Sequence, residues 1–291
     1  HEDNILVGNG SKQIIYNTFQ AILNTGDEVI VPSPYWVTIP ESIKLAGGKS
    51  IFIGATNDFR LNLEGIEKAI TSNTKAIYIN TPNNPSGVVY NRKELTQLGQ
   101  LAIKHDLVIV SDEAYESLTY GCEFISPLML GEEIARRSIS IQSFSKSFCM
   151  TGFRVGYMVA NEDFIKKVDT FQGHLCGNIP PFTQLGAVNA IKHQDEIIGD
   201  MISTMTKRRD KAYSLFRQIF EVNEPHGAFY LFLNIKPYIE NGTVKDSVEM
   251  VQKLINEAGV ALVPGKFFGE DHYIRLAFTD TVERIELAYE K

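Results

Sequence analysis

Short apolar segments rich in β-branched residues alternate with amphipathic segments from residue 5 to about residue 160. Apolar runs of this length are typical of strands buried on both faces, and the segments between them are typical of helical crossovers. Such units build one mainly parallel sheet with helices on both sides. The seven predicted strands are Ile5 to Gly8, Glu28 to Val31, Lys49 to Ile53, Ala76 to Ile79, Leu107 to Ser111, Ser138 to Ser143 and Val155 to Val159.

The C-terminal part of the chain follows a different pattern, with longer helical segments and two strands at 227–235 and 273–278. We therefore predict an α/β fold with two parts. The first is a three-layer α/β/α large domain with a mainly parallel seven-stranded sheet, and the second is a smaller C-terminal α+β domain. The predicted boundaries are 1–195 for the large domain, 196–226 for a connecting long helix and 227–291 for the small domain.

Composition and charge exclude several classes of function. The net charge is −7 without any block of five like charges, so neither nucleic acid nor an anionic membrane is an expected partner. The three cysteines form no CxxC pair, which favours reduced thiols and a cytoplasmic location. No HExxH or paired CxxC motif predicts a metal site, and no apolar run is long enough to cross a membrane.

Polar residues that follow the predicted strands are candidate site residues, because ligands of open parallel sheets bind at the carboxyl ends of strands. The segment "LVGNGSKQ" (6 to 13) joins a strand, a glycine turn and a helix start, where backbone N–H groups can bind a phosphate. It fits neither the Walker pattern nor the complete GxGxxG fingerprint, although Glu28 lies near the spacing of a ribose-binding acid. An ordinary βα turn is the alternative.

Two further strands end in polar residues. "LVIVSDEAY" (107 to 115) ends in Asp112, Glu113 and Tyr115, and a carboxylate there is costly to bury unless a cation or a hydrogen-bond donor meets it. The alternative for Asp112 is a plain helix N-cap. In "YINTPNNPSGVVY" (78 to 90), Asn84 either presents its amide to a ligand or belongs to a simple turn.

The segment "SFSKSFCMTGFRVGY" (143 to 157) contains Lys146 among apolar residues. A lysine in such surroundings tends to have a lowered pKa and can form a Schiff base, whereas a snorkelling lysine whose amine reaches water is the alternative. Ser143, Ser145 and Arg154 lie close to it in the sequence and can hold a phosphate. The segment also contains the S-x-x-K signature of penicillin-binding enzymes, but their SDN and KTG motifs are absent.

Seven segments of the chain follow one another in an order that is typical of one family. They are GNGSKQ, PYWVTIPE, NTPNNPSG, SDEAYE, SFSKSF, MTGFRVGY and YIRLAF. Through them the chain resembles, over essentially its whole length, the class I/II aminotransferases, which are fold-type I pyridoxal-phosphate enzymes. Within that family it resembles the bacterial-type aspartate aminotransferase subgroup.

The resemblance implies pyridoxal 5'-phosphate as cofactor and gives several residues a role towards it. Lys146 would hold the cofactor as a Schiff base and move the proton at the substrate α-carbon. Asp112 would pair with the pyridine nitrogen, while Tyr115 and Asn84 would hydrogen-bond the phenolic oxygen. Trp36 would stack on the ring. The residues implied for the phosphate are Gly10, Ser11, Lys12, Ser143, Ser145 and Arg154.

For the substrate, the resemblance implies that Arg275 binds the α-carboxylate, with Asn84 and Trp36 also in contact. Lys12 favours a second, side-chain carboxylate, so the implied reaction moves an amino group between an L-amino acid, such as aspartate, and a 2-oxo acid, such as 2-oxoglutarate. The alternatives are a C–S lyase or decarboxylase of the same fold, or the non-catalytic aminotransferase-like domain of a transcription regulator.

The resemblance also implies a homodimer with shared active sites, to which His174 and Asn178 are candidate contributors. Family members carry a segment before the phosphate loop that the present sequence does not include. We therefore expect either a fragment or the ordered part of a longer chain.

Overall fold

The central sheet of this protein contains all seven predicted strands, in a computed structural model that describes residues 1–291. Their spatial order is β1-β7-β6-β5-β4-β2-β3. The observed ends lie within two residues of the predicted ones, which confirms the predicted sheet. The strands are β1 (Ile5–Gly8), β2 (Glu28–Pro32), β3 (Lys49–Ile53), β4 (Thr74–Asn80), β5 (Val108–Asp112), β6 (Ser138–Ser143) and β7 (Gly156–Val159).

Helices cover both faces of this sheet. Successive side chains of a strand point to opposite faces, and here both faces are apolar. In β2, Val29 and Val31 pack into one apolar core, whereas Ile30 packs into the other. Helices α1, α2 and α7 cover the first face, and α3, α4 and α5 cover the second. Their bounds are α1 (Ser11–Ile22), α2 (Thr38–Leu45), α3 (Leu63–Ala69), α4 (Arg92–Lys104), α5 (Glu132–Arg136), α6 (Phe144–Ser147) and α7 (Glu162–Leu175).

Strand β7 is the exception to the parallel arrangement, since it pairs antiparallel with both β6 and β1. No helical crossover separates it from β6, so the short connection through α6 turns the chain back on itself. Gly156 at the start of β7 therefore lies between Ser143 and Gly8, the last residues of β6 and β1. This places both ends of the 144–155 connection at the carboxyl edge of the parallel strands.

A second, antiparallel sheet of three strands forms the C-terminal part, in the order β8-β10-β9. Strand β9 contains only two residues and was not predicted. A π-helical turn over residues 254–258 follows α11 and ends at Gly259, which has a φ of 68°. The strands are β8 (Tyr230–Asn234), β9 (Val263–Pro264) and β10 (Tyr273–Ala277), and the helices are α8 (Pro181–Lys192), α9 (Gln194–Phe216), α10 (Lys236–Glu240), α11 (Ser247–Lys253) and α12 (Val282–Glu290).

The long helix α9 ends at Phe216, so residues 217–226 of the predicted connecting helix are not helical. The three domain boundaries themselves stay a prediction. None of the helices combines the length and the apolar character that crossing a membrane requires.

Candidate active site

A cavity of about 510 Å³ lies at the carboxyl edge of the large sheet. It brings together every residue predicted to bind the cofactor or the substrate except Gly10, which directly precedes α1 at the same edge. The side chains come from widely separated parts of the chain, so the fold rather than local sequence assembles them. The lining residues are Ser11, Lys12, Trp36, Asn80, Asn84, Asp112, Ala114, Tyr115, Ser143, Ser145, Lys146, Thr151, Arg154, Tyr230 and Arg275.

Lys146 lies in the single turn of α6, directly after β6. Burial lowers the pKa of its amine, and the charges of Arg275 and Arg154 lower it further. Its Nζ atom is 5.5 Å from the ring centroid of Phe229, an apolar neighbour that contributes to this desolvation. The predicted lowering of the Lys146 pKa therefore agrees with its surroundings, which shift the amine towards its nucleophilic, unprotonated form.

Asp112 ends β5 at the base of the cavity and is only 4% exposed. Tyr78 Oη donates to its Oδ2 at 3.1 Å and the Ala114 backbone N–H donates to its Oδ1 at 3.2 Å, but no cation pairs with it. Burial raises the pKa of Asp112 to about 6, although these two hydrogen bonds act to lower it. A turn and no helix follows, so the helix N-cap alternative is wrong. The carboxylate is therefore suited to accept a hydrogen bond from a protonated, positively charged atom of a ligand.

The N-terminus of α1 forms the candidate phosphate site. Gly10 occupies the N-cap position with a φ of 81°, and no side chain caps the first N–H groups of the helix. A Cβ atom at Gly10 would lie 2.7 Å from Nη2 of Arg154, so a larger residue would displace that guanidinium from its present position. Uncapped N–H donors beside an arginine fork suit a phosphate group.

Arg275 extends from β10 and joins the two sheets at the cavity. Its Nη1 donates to Oδ1 of Asn84 at 2.8 Å, and its guanidinium carbon lies 4.4 Å from the ring centroid of Tyr230. Its Nε is buried without a hydrogen-bond partner in the protein. A buried, unsatisfied N–H on a cation is costly, so this arginine suits a ligand carboxylate.

Sequence reasoning missed four lining residues, which are Asn80, Ala114, Thr151 and Tyr230. Asn80 is the last residue of β4; its Nδ2 donates to the Asp112 carbonyl at 2.9 Å and its Oδ1 accepts from the Asn84 N–H at 2.7 Å. The strand-end rule that selected Asp112 also selects Asn80. Tyr230 follows no such rule, because it begins a strand of the other sheet.

The two residues predicted to serve a partner's site, His174 and Asn178, do not line this cavity. His174 lies in the last turn of α7, and Asn178 lies in the connection from α7 to α8. Their predicted contribution to a neighbouring subunit stays a prediction.

Comparison with known proteins agrees with the fold and the cavity. The family model for aminotransferase class I and II matches residues 1–291. The chain belongs to this aminotransferase family. Aspartate aminotransferase of Bacillus subtilis (strain 168) is 40% identical to the chain over 292 residues, which cover 99% of this aminotransferase and 74% of that relative.

Solved structures give the same family. Aspartate aminotransferase from Thermotoga maritima superposes with a TM-score of 0.93 at 38% identity, covering 100% of this aminotransferase and 75% of that chain. Aspartate aminotransferase from Thermus thermophilus, solved with maleate, gives a TM-score of 0.93 at 33% identity, covering 99% and 75%. These matches confirm the predicted fold class and family, and they support neither the penicillin-binding nor the dinucleotide interpretation of single motifs.

Proposed function

We propose that this aminotransferase binds pyridoxal 5'-phosphate in the cavity at the sheet edge and links it covalently to Lys146. The class I and II aminotransferases are pyridoxal-phosphate enzymes. The observation that carries the proposal is the pair formed by a desolvated lysine and a buried carboxylate without a cation, Lys146 and Asp112, which line one cavity.

The residues of the cavity match the chemical groups of this cofactor. The N–H groups of Ser11 and Lys12 and the guanidinium of Arg154 suit the phosphate, as do the nearby hydroxyls of Ser143 and Ser145. Asp112 suits the protonated pyridine nitrogen, and Tyr115 and Asn84 suit the phenolic oxygen. Trp36 offers an indole ring against which a heteroaromatic ring can stack.

When bound, pyridoxal phosphate supplies an electrophilic carbon for the amine and a ring that accepts electrons from the substrate α-carbon. The protein supplies the remaining functions. Asp112 keeps the ring nitrogen protonated, because a buried carboxylate stabilises a neighbouring positive charge. Arg275 would bind the α-carboxylate, and Nζ of Lys146, whose pKa is lowered by desolvation, would take and return the proton of the α-carbon.

The test is spectroscopic. Pyridoxal phosphate added to the protein should give a visible absorbance band, and borohydride reduction should leave the cofactor mass on the peptide that contains Lys146. Lys146→Ala should lose the covalent label, whereas Lys93→Ala, at an exposed position on α4, should keep it. A label of equal yield in Lys146→Ala would contradict the proposal.

We infer further that the amino donors are dicarboxylic, with aspartate or glutamate as donor and the matching 2-oxo acid as acceptor. Lys12 lines the cavity, and its ammonium group lies 4.9 Å from the ring centroid of Trp36 rather than against a carboxylate of the protein. An unpaired cation of this kind is available for a second substrate carboxylate. The names of the relatives from Bacillus subtilis and Thermotoga maritima support the same substrate.

Replacement of Lys12 tests this substrate class. Lys12→Ala should lower kcat/KM for aspartate by roughly 10- to 100-fold, the value of a hydrogen bond to a charged group, and for alanine by only a few fold. Alanine is the control donor because it lacks the second carboxylate. If the loss for alanine is as large as that for aspartate, the assignment of Lys12 to the substrate is wrong.

We also infer that this aminotransferase is a homodimer that works in a reducing, cytoplasmic compartment. Four apolar side chains of α8 are exposed at successive i, i+3 positions, which supports a protein partner for this helix. The three cysteines are free, which supports a reducing compartment. The exposed side chains are Phe182, Leu185, Val188 and Ile191.

A further inference from the structure

Tyr230 lines the cavity beside Tyr115, and the two hydroxyl oxygens are 2.8 Å apart. Both side chains are 5% exposed, and their rings meet edge to face with centroids 5.9 Å apart. A hydrogen bond that is this well shielded from water is stronger than an exposed one, so its direction matters for the chemistry of the cavity.

Each phenol carries one hydrogen, so the bond between the two hydroxyls has two possible directions. If Tyr115 donates, its oxygen offers only a lone pair to a ligand. If Tyr230 donates, Tyr115 keeps its own hydrogen for an acceptor in the cavity. Only the second direction allows Tyr115 to donate to the phenolic oxygen of the cofactor.

The surroundings of the pair favour donation by Tyr230. Burial raises the pKa of both phenols, but in Tyr230 the charge of Arg275, which lies 4.4 Å from the ring centroid, is the main effect that opposes this rise. In Tyr115 the effect of Arg275 is the smallest of the contributions and its pKa stays well above the usual value. The more acidic phenol of a pair is the better donor.

We propose that Tyr230 is a positioning residue that donates its hydroxyl hydrogen to Tyr115, so that the hydrogen of Tyr115 is directed at the phenolic oxygen of bound pyridoxal phosphate. This inference rests on the function proposed above. Donation from Tyr230 polarises the Tyr115 hydroxyl, because hydrogen bonds in a chain strengthen one another. The pair thereby stabilises negative charge on the phenolic oxygen and lowers the proton affinity of the bound cofactor.

The experiment is a pH titration of the visible absorbance of the cofactor-loaded protein. Tyr230→Phe removes the hydroxyl and keeps the ring beside Arg275. It should raise the midpoint of the absorbance change by about 0.5 to 1 pH unit, the size expected for one shielded hydrogen bond. In a Tyr115→Phe background, the same substitution should cause no further shift, because Tyr230 acts through Tyr115.

Tyr120→Phe is the matched control. Tyr120 belongs to the same apolar cluster and is equally buried, but its hydroxyl donates to the Ala228 carbonyl at 2.7 Å and does not line the cavity. Its loss should leave the midpoint unchanged even if the protein becomes less stable. A shift from Tyr230→Phe but not from Tyr120→Phe therefore separates positioning from general packing.

Two outcomes overturn the inference. The first is a Tyr230→Phe midpoint equal to that of the wild type, and the second is a shift of equal size in the presence and absence of the Tyr115 hydroxyl. Either leaves the proposed function intact, because the cofactor is still bound. A wild-type protein that forms no Lys146-dependent absorbance band overturns the proposed function and this inference together.

Discussion

Individual residues of the cavity carry charges at positions where the protein alone does not compensate them. Asp112 is the clearest case, since its buried carboxylate receives two hydrogen bonds and no ion pair. Its pKa is raised from 3.8 to about 6, chiefly by desolvation. Such a group lowers the stability of the protein without cofactor, and it becomes useful only when a cationic ligand atom lies beside it.

Asp112→Asn should therefore stabilise the cofactor-free protein at pH 8 by about 2 to 3 kcal/mol, since each pKa unit is worth about 1.4 kcal/mol. The folded protein retains this proton at pH values where the unfolded chain has lost it. The contribution of Asp112 to stability should thus fall as the pH rises from about 4 to about 6 and then level off, and the gain from Asn should vanish below about pH 4. Urea unfolding at pH 4, 6 and 8 measures this.

Asp169→Asn, on the exposed side of α7, is the control and should change stability by the same small amount at each pH. An Asp112→Asn protein that is less stable than the wild type at pH 8 would show that the carboxylate is compensated in the folded protein.

At the scale of elements, the antiparallel strand β7 is what brings the phosphate site together. Gly156 lies between the ends of β6 and β1, and a Cβ atom there would lie 2.7 Å from both the Gln142 carbonyl oxygen and the Ser11 nitrogen. The N-terminus of α1 therefore rests directly on the backbone of β7. The same connection that carries Lys146 also carries Arg154 to this point.

Gly156→Ala should push the first turn of α1 away from β7 and weaken the binding of pyridoxal phosphate by roughly tenfold or more, because the contacts are backbone atoms that cannot rotate away. Absorbance titration with the cofactor measures the affinity. Gly152→Ala, in the same connection but with no atom within 4 Å of the added Cβ, should bind as the wild type does. Equal affinities for the two variants would refute this account.

At the scale of the whole molecule, the most exposed apolar surface is a stripe along α8. Phe182 and Leu185 are 74% and 69% exposed, and Val188 and Ile191 continue the stripe at 47% and 46%. A helix stripe of this size is unfavourable in water. It therefore supports the proposed homodimer, in which this helix is covered by a protein surface.

Leu185→Glu should shift the sedimentation coefficient from that of a dimer towards that of a monomer, because it buries an unpaired carboxylate in the interface. Gln100→Glu adds the same charge to an exposed position of α4, away from this face, and should leave the dimer intact. A wild-type protein that sediments as a monomer, or a Leu185→Glu protein that remains a dimer, would contradict the proposed role of the stripe.

Local sequence was sufficient for the elements of the large sheet and for many of the candidate site residues. Apolar runs predicted all seven strands. The cap of α4 is equally local, since the Asn91 side chain accepts from the Glu94 N–H at 3.0 Å. The strand-end rule located Asp112, Asn84 and Lys146, because the apolar run of a buried strand and the polar residues that follow it are adjacent in the sequence.

Tertiary structure alone decided the direction of β7, the short strand β9 and the neighbours of each site residue. Tyr230 is 115 residues from the hydroxyl it contacts, and Arg275 is 191 residues from Asn84, so no local pattern links them. The same holds for the pKa of Asp112, which depends on burial beneath several elements. Sequence periodicity determines which segments are strands and helices, whereas long-range packing determines which side chains share the cavity and how strongly water is excluded from them.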